Sequence, residues 1–314
     1  MTIRTVCVLG GTGFIGGHVV AQLYAKGYHV TVLTRRTLRH RALKVLPTAR
    51  LVEADVHDLA QLKRHFAGQD AVINLVGILN ERGHDGSGFR RAHTELAQKV
   101  VEACKAAKVR RLLHMSALNA DSGRGTSHYL RTKGEAENHV HTFAAPVAAT
   151  IFRPSVVFGP GDSFVTRFAR LLRRTPGIFP LTCPDARFQP VYVADVAAAF
   201  VAALEDKGSY GQRYDLCGPK TYTLREIVEY VARVQGLKRR VVGLPDGLSR
   251  LIAGLSEHTV KFFSVDNYKS LQTDSVCPAD CRPCPTALEA VVPAYLGQAG
   301  REAVYQRIRR QAGR

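Results

Sequence analysis

The sequence predicts a doubly wound parallel α/β sheet followed by a smaller C-terminal α/β lobe. Three observations carry that expectation. Strand-like and helix-like apolar patterns alternate through the first half of the chain, as successive βαβ units require. The segment Ala71-Val72-Ile73-Asn74-Leu75-Val76-Gly77 is a continuous apolar run, the pattern of a central parallel strand covered on both faces. A glycine turn, Gly10-Gly11-Thr12-Gly13-Phe14-Ile15-Gly16, joins an apolar strand starting at Val6 to an amphipathic helix with Ile15, Val19, Val20 and Leu23.

The elements follow in order. Tyr28 to Leu33 reads as the second strand and Arg50 to Ala54 as the third. Asp58 caps a short helix with Leu59, Leu62 and Phe66 on one face. After the central strand, a loop rich in glycine and charge (Asn80 to Gly88) leads into a long helix with Leu96, Val100, Val101 and Ala107. Arg111 to Ser116 is a fifth buried strand, Ser127 to Val140 a helix, and Ala148 to Phe152 a sixth strand. In the second half Asp162 caps a helix with Phe164, Phe168, Leu171 and Leu172. Phe188 to Val193 reads as a strand, Asp195 opens an alanine-rich helix, and Thr223 caps a helix with Leu224, Ile227, Val228 and Val231. Leu248, Leu251, Ile252 and Leu255 recur at helical spacing, and the tail from Arg301 is basic. Residues 1–157 with 186–216 are expected to form the larger domain, and 158–185 with 217–314 the smaller lobe, over the ligand crevice at the carboxyl ends of the strands.

The 314 residues are 46% apolar, enough for one sizeable core and a smaller lobe. Lys and Arg number 44 against 26 Asp and Glu, a formal charge of +18. Such a surplus suits an anionic coenzyme, an acidic protein or an anionic membrane surface, or simply reflects an arginine-rich composition. No helix-turn-helix, zinc-finger or RNA-stacking motif is present, which argues against specific nucleic-acid recognition. The first residues enter the core strand directly, without a basic-then-apolar leader. The expected location is cytoplasmic, with peripheral attachment to the inner membrane as a variant. Cys7 and Cys104 fall on buried-looking positions. Cys277, Cys281 and Cys284 lie in a Pro-rich loop without a clear fourth ligand, so they are read as surface thiols rather than a metal site.

The glycine turn is a pyrophosphate cradle. Gly10 and Gly13 let the turn form and let backbone N–H groups at Thr12, Phe14 and Ile15 approach the phosphates, while Gly16 lets the helix pack on the strand. An NAD site places an acid some 20 residues on, at the ribose 2′-hydroxyl. Here no acid precedes Glu53, and Arg35 and Arg36 follow the second strand. Guanidinium suits a 2′-phosphate, so NADP(H) is favoured and NAD(H) kept as the alternative. The arginines can also be read as a solvated basic turn with Arg39, Arg41 and Lys44. Two strand ends offer further contacts. Asp55-Val56 can receive the adenine amino group, unless Asp55 is a turn or cap residue, and Leu75-Val76-Gly77 lets the ribose pass close to backbone.

Tyr129 and Lys133 are one helical turn apart and share a face. A neighbouring ammonium and a nicotinamide cation both favour the phenolate, so the pair can move a proton to or from a substrate hydroxyl. Taken alone, Tyr-x-x-x-Lys is an ordinary surface pair in most helices. Its place after the fifth strand of a dinucleotide fold is what distinguishes it.

Gly10-x-x-Gly13-x-x-Gly16, Asp55-Val56, Tyr129-x-x-x-Lys133, Arg153-Pro-Ser-Val-Val-Phe-Gly-Pro and Pro190-Val-Tyr-Val-x-Asp195-Val occur in that order. In these landmarks the chain resembles the extended or atypical short-chain dehydrogenases/reductases, the NAD-dependent epimerase/dehydratase group, over nearly its whole length to about Leu296. Val72-Ile-Asn-Leu-Val-Gly77, Ser116-Ala-Leu-Asn-Ala120 and Gln189-Pro-Val-Tyr-Val193 resemble one branch more closely, that of the accessory subunit of respiratory complex I and its bacterial relatives. The resemblance implies a Rossmann-type sheet, NAD(P)H on the glycine turn, Tyr129 and Lys133 at the nicotinamide end, and Pro154 to Val157, with Pro154 and Val156, beside the carboxamide. Active members carry a Ser or Thr just beyond the strand serine. Here Ser116 is the strand serine and Ala117 fills that slot, so the donor is restored only if Ser116 or Asn119 swings in instead. Three functions stay open: an NADP(H)-dependent oxidoreductase or epimerase on an unidentified small molecule, a non-catalytic NADPH-binding scaffold for a respiratory or quinone-related assembly, and an NADP(H) redox sensor.

Overall fold

The structure is a computed structural model and describes residues 2–37, 47–81, 85–245, 247 and 265–297. The expected helix around Leu248 to Leu255, the residues Arg39, Arg41 and Lys44, and the tail from Arg301 lie outside the described residues. The chain divides into two compact units, Met1–Pro154 with Ala194–Leu216 and Ser155–Val193 with Cys217–Arg314.

The first unit begins with β1 (Thr5–Leu9), α1 (Phe14–Ala25), β2 (His29–Thr34), β3 (Ala49–Glu53), α2 (Leu59–Phe66) and β4 (Ala71–Asn74). Next come α3 (Ser87–Arg90), a π-helical turn (Arg91–Glu95), α4 (Leu96–Ala106), β5 (Arg111–Met115), α5 (His128–Phe143) and β6 (Ala148–Pro154). The second unit contributes β7 (Val157–Phe158), α6 (Val165–Arg174), β8 (Ile178–Leu181), β9 (Arg187–Phe188) and β10 (Val191–Tyr192). The chain then returns to the first through α7 (Val193–Ala203) and β11 (Arg213–Leu216), and ends in β12 (Tyr222–Thr223), α8 (Leu224–Val234), β13 (Arg240–Gly243), α9 (Val265–Leu271) and α10 (Leu288–Leu296).

The central sheet runs β11-β6-β5-β4-β1-β2-β3, and every pairing in it is parallel. It is the doubly wound α/β sheet the alternating pattern predicted. Strand β4 is shorter than its apolar run. The Leu75 N–H still bonds the Leu9 carbonyl at 3.0 Å, but the Asn74 side-chain oxygen then takes the Val76 N–H at 3.2 Å, and Val76-Gly77 turn out of the ladder. Asp58 caps α2 as expected, accepting from Ala60 and Gln61.

Two buried charges hold the edge of the sheet. Arg111, 1% exposed, donates to the Ala203 and Ala148 carbonyls at 2.8 and 2.9 Å and to the Thr150 and Ser209 hydroxyls at 2.7 and 2.6 Å. Its guanidinium also stacks on the Tyr210 ring. Glu137 on α5, likewise buried, pairs with Arg153 of β6 and with Arg213 of β11, the latter at 2.9 Å. These pairs explain why β11, whose sequence Arg-Tyr-Asp-Leu carries no strand-like apolar run, is nevertheless part of the sheet.

The second unit has its own core of Phe158, Leu172, Phe179, Ile227, Val231 and Val292, among others. The Thr223–Glu226 capping box starts α8, and Asp162 accepts the Thr166 N–H at 2.9 Å at the start of α6. Three expectations are corrected. The strand expected over Phe188 to Val193 is two short strands, β9 paired with β12 and β10 with β7. Those pairings, with the Ser155–Ser275 hydrogen bonds, place 155–157 and 186–193 in the second unit rather than the first. Cys277 is not a surface thiol but forms a disulfide with Cys217, 60 residues away in sequence. Cys281 and Cys284 are half-buried thiols, and Cys7 and Cys104 are buried. Among the described residues no three His, Cys, Asp or Glu side chains converge to hold a metal ion, and no helix is long and apolar enough to cross a membrane.

Replacing Arg111 with Met keeps its apolar stem but strands the two carbonyls and two hydroxyls. Urea unfolding of Arg111→Met is expected to show a loss of about 3 kcal/mol.

Candidate functional site

The cradle is built by close approach. Gly10 has φ +75°, and a Cβ there would lie 2.9 Å from the carbonyl carbon of Leu75. A Cβ on Gly16 would overlap the Gly10 carbonyl oxygen and lie 2.6 Å from the Gly11 Cα. The Gly13 N–H closes the turn onto the Gly10 carbonyl at 3.0 Å. Gly13 is the N-cap of α1, among the described residues no side chain caps that helix, and no acid stands in its first turn. The turn therefore presents uncapped amides and the positive end of a helix dipole. Thr12, Phe14 and Ile15 are half-buried around it and Gly13 is exposed.

Arg35 and Arg36 follow β2 and are exposed. Asp55 is also exposed, and its carboxylate accepts the His57 N–H at 2.9 Å, a turn-residue role, while Val56 is half-buried beside the core. Leu75 and Val76 are half-buried and Gly77 exposed at the exit of β4. Pro154 ends β6, its carbonyl accepting the Leu118 N–H at 3.0 Å. Val156 belongs to the second unit, where its carbonyl accepts the Val191 N–H at 3.0 Å.

Ser127 caps α5 by accepting from Leu130, and Tyr129 and Lys133 lie on that helix. Lys133 is 4% exposed. Its ammonium donates to the Met115 carbonyl at 3.1 Å and would lie 3.0 Å from a Cβ on Gly77. Burial pushes it down to about 8. The Tyr129 ring packs edge-on against His93 and Phe89, with centroids 5.5 and 6.2 Å away. Burial pushes its phenol up to about 12. That is opposite in sign to the lowering expected from Lys133: desolvation of the buried phenol sets the direction. Ser116 is buried at the end of β5, and its Oγ has no hydrogen-bond partner among the described residues. Ala117 is buried beside it.

Several polar residues of this site were not singled out in the sequence. His114 on β5 is buried, hydrogen-bonded through Nδ1 to Asn74 at 3.3 Å. Its Nε2 lacks a partner among the described residues. Burial, then the nearby Lys133 ammonium, hold it down to about 3. His93 bonds the Ile78 N–H and Thr132. The available signal was a histidine inside the apolar strand Arg-Leu-Leu-His-Met, where a polar side chain needs a partner.

The pattern of the NAD dependent epimerase/dehydratase family matches residues 6–217. The chain belongs to that family. It is 30% identical over 80% of its length to the mitochondrial NADH-ubiquinone oxidoreductase 40 kDa subunit of Neurospora crassa, covering 66% of that protein. It is 31% identical over 77% of its length to the ceramide reductase of Caulobacter vibrioides, covering 74% of it. The chain thus spans about two thirds to three quarters of these relatives' lengths. The Bordetella bronchiseptica enzyme WbmH, solved in complex with NAD+, shares the fold at TM-score 0.65 and 20% identity, over 77% of this chain and 86% of that one.

In this epimerase/dehydratase member the residues present fit a dinucleotide. A Cβ at Gly10 or Gly16 would push the cradle's own backbone apart, Gly13 leaves the first turn of α1 without a side-chain cap, and the Ser116 hydroxyl has no partner among the described residues. Gly16→Ala forces the helix away from the turn, and thermal or urea unfolding is expected to register a loss of about 2 kcal/mol, as for other overpacked sites. Lys133 titrates lower folded than unfolded, so it weakens the fold below about pH 8, and that weakening fades as pH rises from about 8 to the ordinary lysine range. Relative to Lys133→Met, the wild type should gain about 3 kcal/mol between pH 7 and 10.5. An unchanged difference across that range would mean that the ammonium is solvated.

Proposed function

We propose that the chain binds NADP(H) and acts as an oxidoreductase or epimerase on a carbonyl or hydroxyl substrate, with Tyr129 as general acid/base. One observation carries this reading. The Lys133 ammonium is buried against the Met115 carbonyl beside Gly77, one helical turn from Tyr129. A buried ammonium is costly to keep without a role, and here it stands where it can hold a ribose hydroxyl and stabilise a phenolate. When bound, the coenzyme supplies or accepts the hydride at its nicotinamide ring. In the reducing direction Tyr129 gives its proton to the carbonyl oxygen as the carbonyl carbon receives hydride, and the phenolate left behind is held by Lys133. Ser116, whose hydroxyl has no partner among the described residues, is the available donor to the substrate oxygen in place of Ala117. Arg35 and Arg36 would grip the 2′-phosphate, with Asp55 and Val56 at the adenine and Pro154 at the carboxamide.

Ala117 favours a second reading. A buried methyl where active members place a hydroxyl removes one transition-state donor, worth about a hundredfold or more in rate. The likeness to a complex I subunit supports a coenzyme-stabilised scaffold. Its partner would be an acidic protein or an anionic membrane surface on the cytoplasmic side, in keeping with the +18 charge.

Single-turnover NADPH oxidation against carbonyls, quinones and nucleotide sugars separates the two. The enzyme reading expects oxidation that falls about a hundredfold or more in Tyr129→Phe. No oxidation with slowly exchanging NADPH is the scaffold result. The double variant Arg35→Ala/Arg36→Ala is expected to weaken NADPH about tenfold or more and leave NADH unchanged, since only the former carries the charge they pair with. Equal losses for both would remove the preference for NADP(H).

A further inference from the structure

His93 lies in the π-helical turn Arg91–Glu95 and is 2% exposed. A π turn carries an extra residue per turn and re-aims side chains, often at working sites. Nε2 of His93 accepts the Ile78 N–H at 3.1 Å. Nδ1 faces the Thr132 Oγ1 at 2.9 Å, and the Thr132 hydroxyl donates onward to the His128 carbonyl at 2.8 Å. Only one form of the ring satisfies all of these partners: neutral, with its proton on Nδ1. Burial, then the field of Lys133, keep it neutral by pushing the imidazole down to about 2. One rigid ring thereby joins the backbone just after Gly77 to the residue just before Lys133, while its face meets the Tyr129 ring edge-on at 5.5 Å.

We propose that His93 is a positioning residue: it sets the spacing between the Gly77-Ile78 turn and the Tyr129–Lys133 face of α5, and so the seat for the nicotinamide-ribose end of the coenzyme. The inference rests on the coenzyme reading above, and it separates His93 from a residue that merely supports the fold. A residue of the latter kind would weaken every part of the ligand alike. The His93 hydrogen bonds go to Ile78 and Thr132, beside Gly77 and Lys133, and not to the Gly10–Gly16 cradle.

The test measures the affinity of the full-length protein for two probes, NADPH and 2′-phospho-ADP, which lacks both the nicotinamide ring and the ribose that carries it. Wild type is expected to bind both. His93→Phe keeps the ring packing and loses both hydrogen bonds. It should bind NADPH about tenfold more weakly, the scale of one positioned hydrogen bond, and the fragment within about twofold of wild type. His93→Gln, whose amide both accepts and donates, should recover most of the NADPH affinity. In ligand-free wild type, 15N-histidine NMR should show His93 neutral and protonated on Nδ1. Equal weakening of both probes, or of neither, overturns the proposal, as does an Nε2-protonated or doubly protonated ring. The NMR and His93→Gln decide the matter should His93→Phe not fold. Wild type binding neither probe overturns the coenzyme reading and this proposal together.

Discussion

The contact between Gly16 and the Gly10 carbonyl is the constraint from which the site is built. It lets α1 come down onto the end of β1 at a distance that no side chain would permit. That approach aims the uncapped first turn of the helix at the open end of the sheet. The same turn is locked to the neighbouring strand, because Gly10 sits against the Leu75–Val76 peptide. From there the chain of contacts continues through Gly77 to the Lys133 ammonium, and through Lys133 to the end of β5. The glycine turn, the exit of β4 and Lys133 are thus linked by backbone approach and a buried hydrogen bond.

Electrostatics add a second layer. Lys133, His93, His114, Asn74 and Ser116 form a buried polar stratum at the ends of β4 and β5. Burial keeps both imidazoles neutral, so Lys133 is the cation among them and has no buried cation as competitor there. Burial alone leaves the Tyr129 phenol firmly protonated, the state required of an acid that delivers a proton to a developing alkoxide. Arg111 and Glu137 put their charges to a different use, with their partners supplied by the protein itself.

The sheet was readable in the sequence because its strands are covered on both faces and leave long apolar runs, and because a glycine turn punctuates the first βα junction. Asp58 and Thr223 announced their helices through ordinary capping chemistry. Strand β11 was not legible, since Arg213, Tyr214 and Asp215 face outward or into ion pairs and only Leu216 is buried. Strands β8 and β13 were missed for a related reason: among the described residues they pair only with each other, and β8 contains Pro180. The Cys217–Cys277 bond joins residues whose proximity is a property of the folded unit, and local spacing cannot reveal it. At the candidate site, Tyr129 and Lys133 were visible through their helical spacing. The direction of the Tyr129 shift was not, because it follows from how deeply the phenol is buried, which helical spacing does not give.

The central claim is that the Gly10–Gly16 bend holds a phosphorylated nicotinamide dinucleotide against bare amides. Isothermal titration of NADPH, and separately NADH, into the full-length protein tests it most directly. Saturation at one site per chain, competed by the adenine-nucleotide half alone, is the predicted result. Heats indistinguishable from dilution for both coenzymes, in protein shown to be folded, would contradict it.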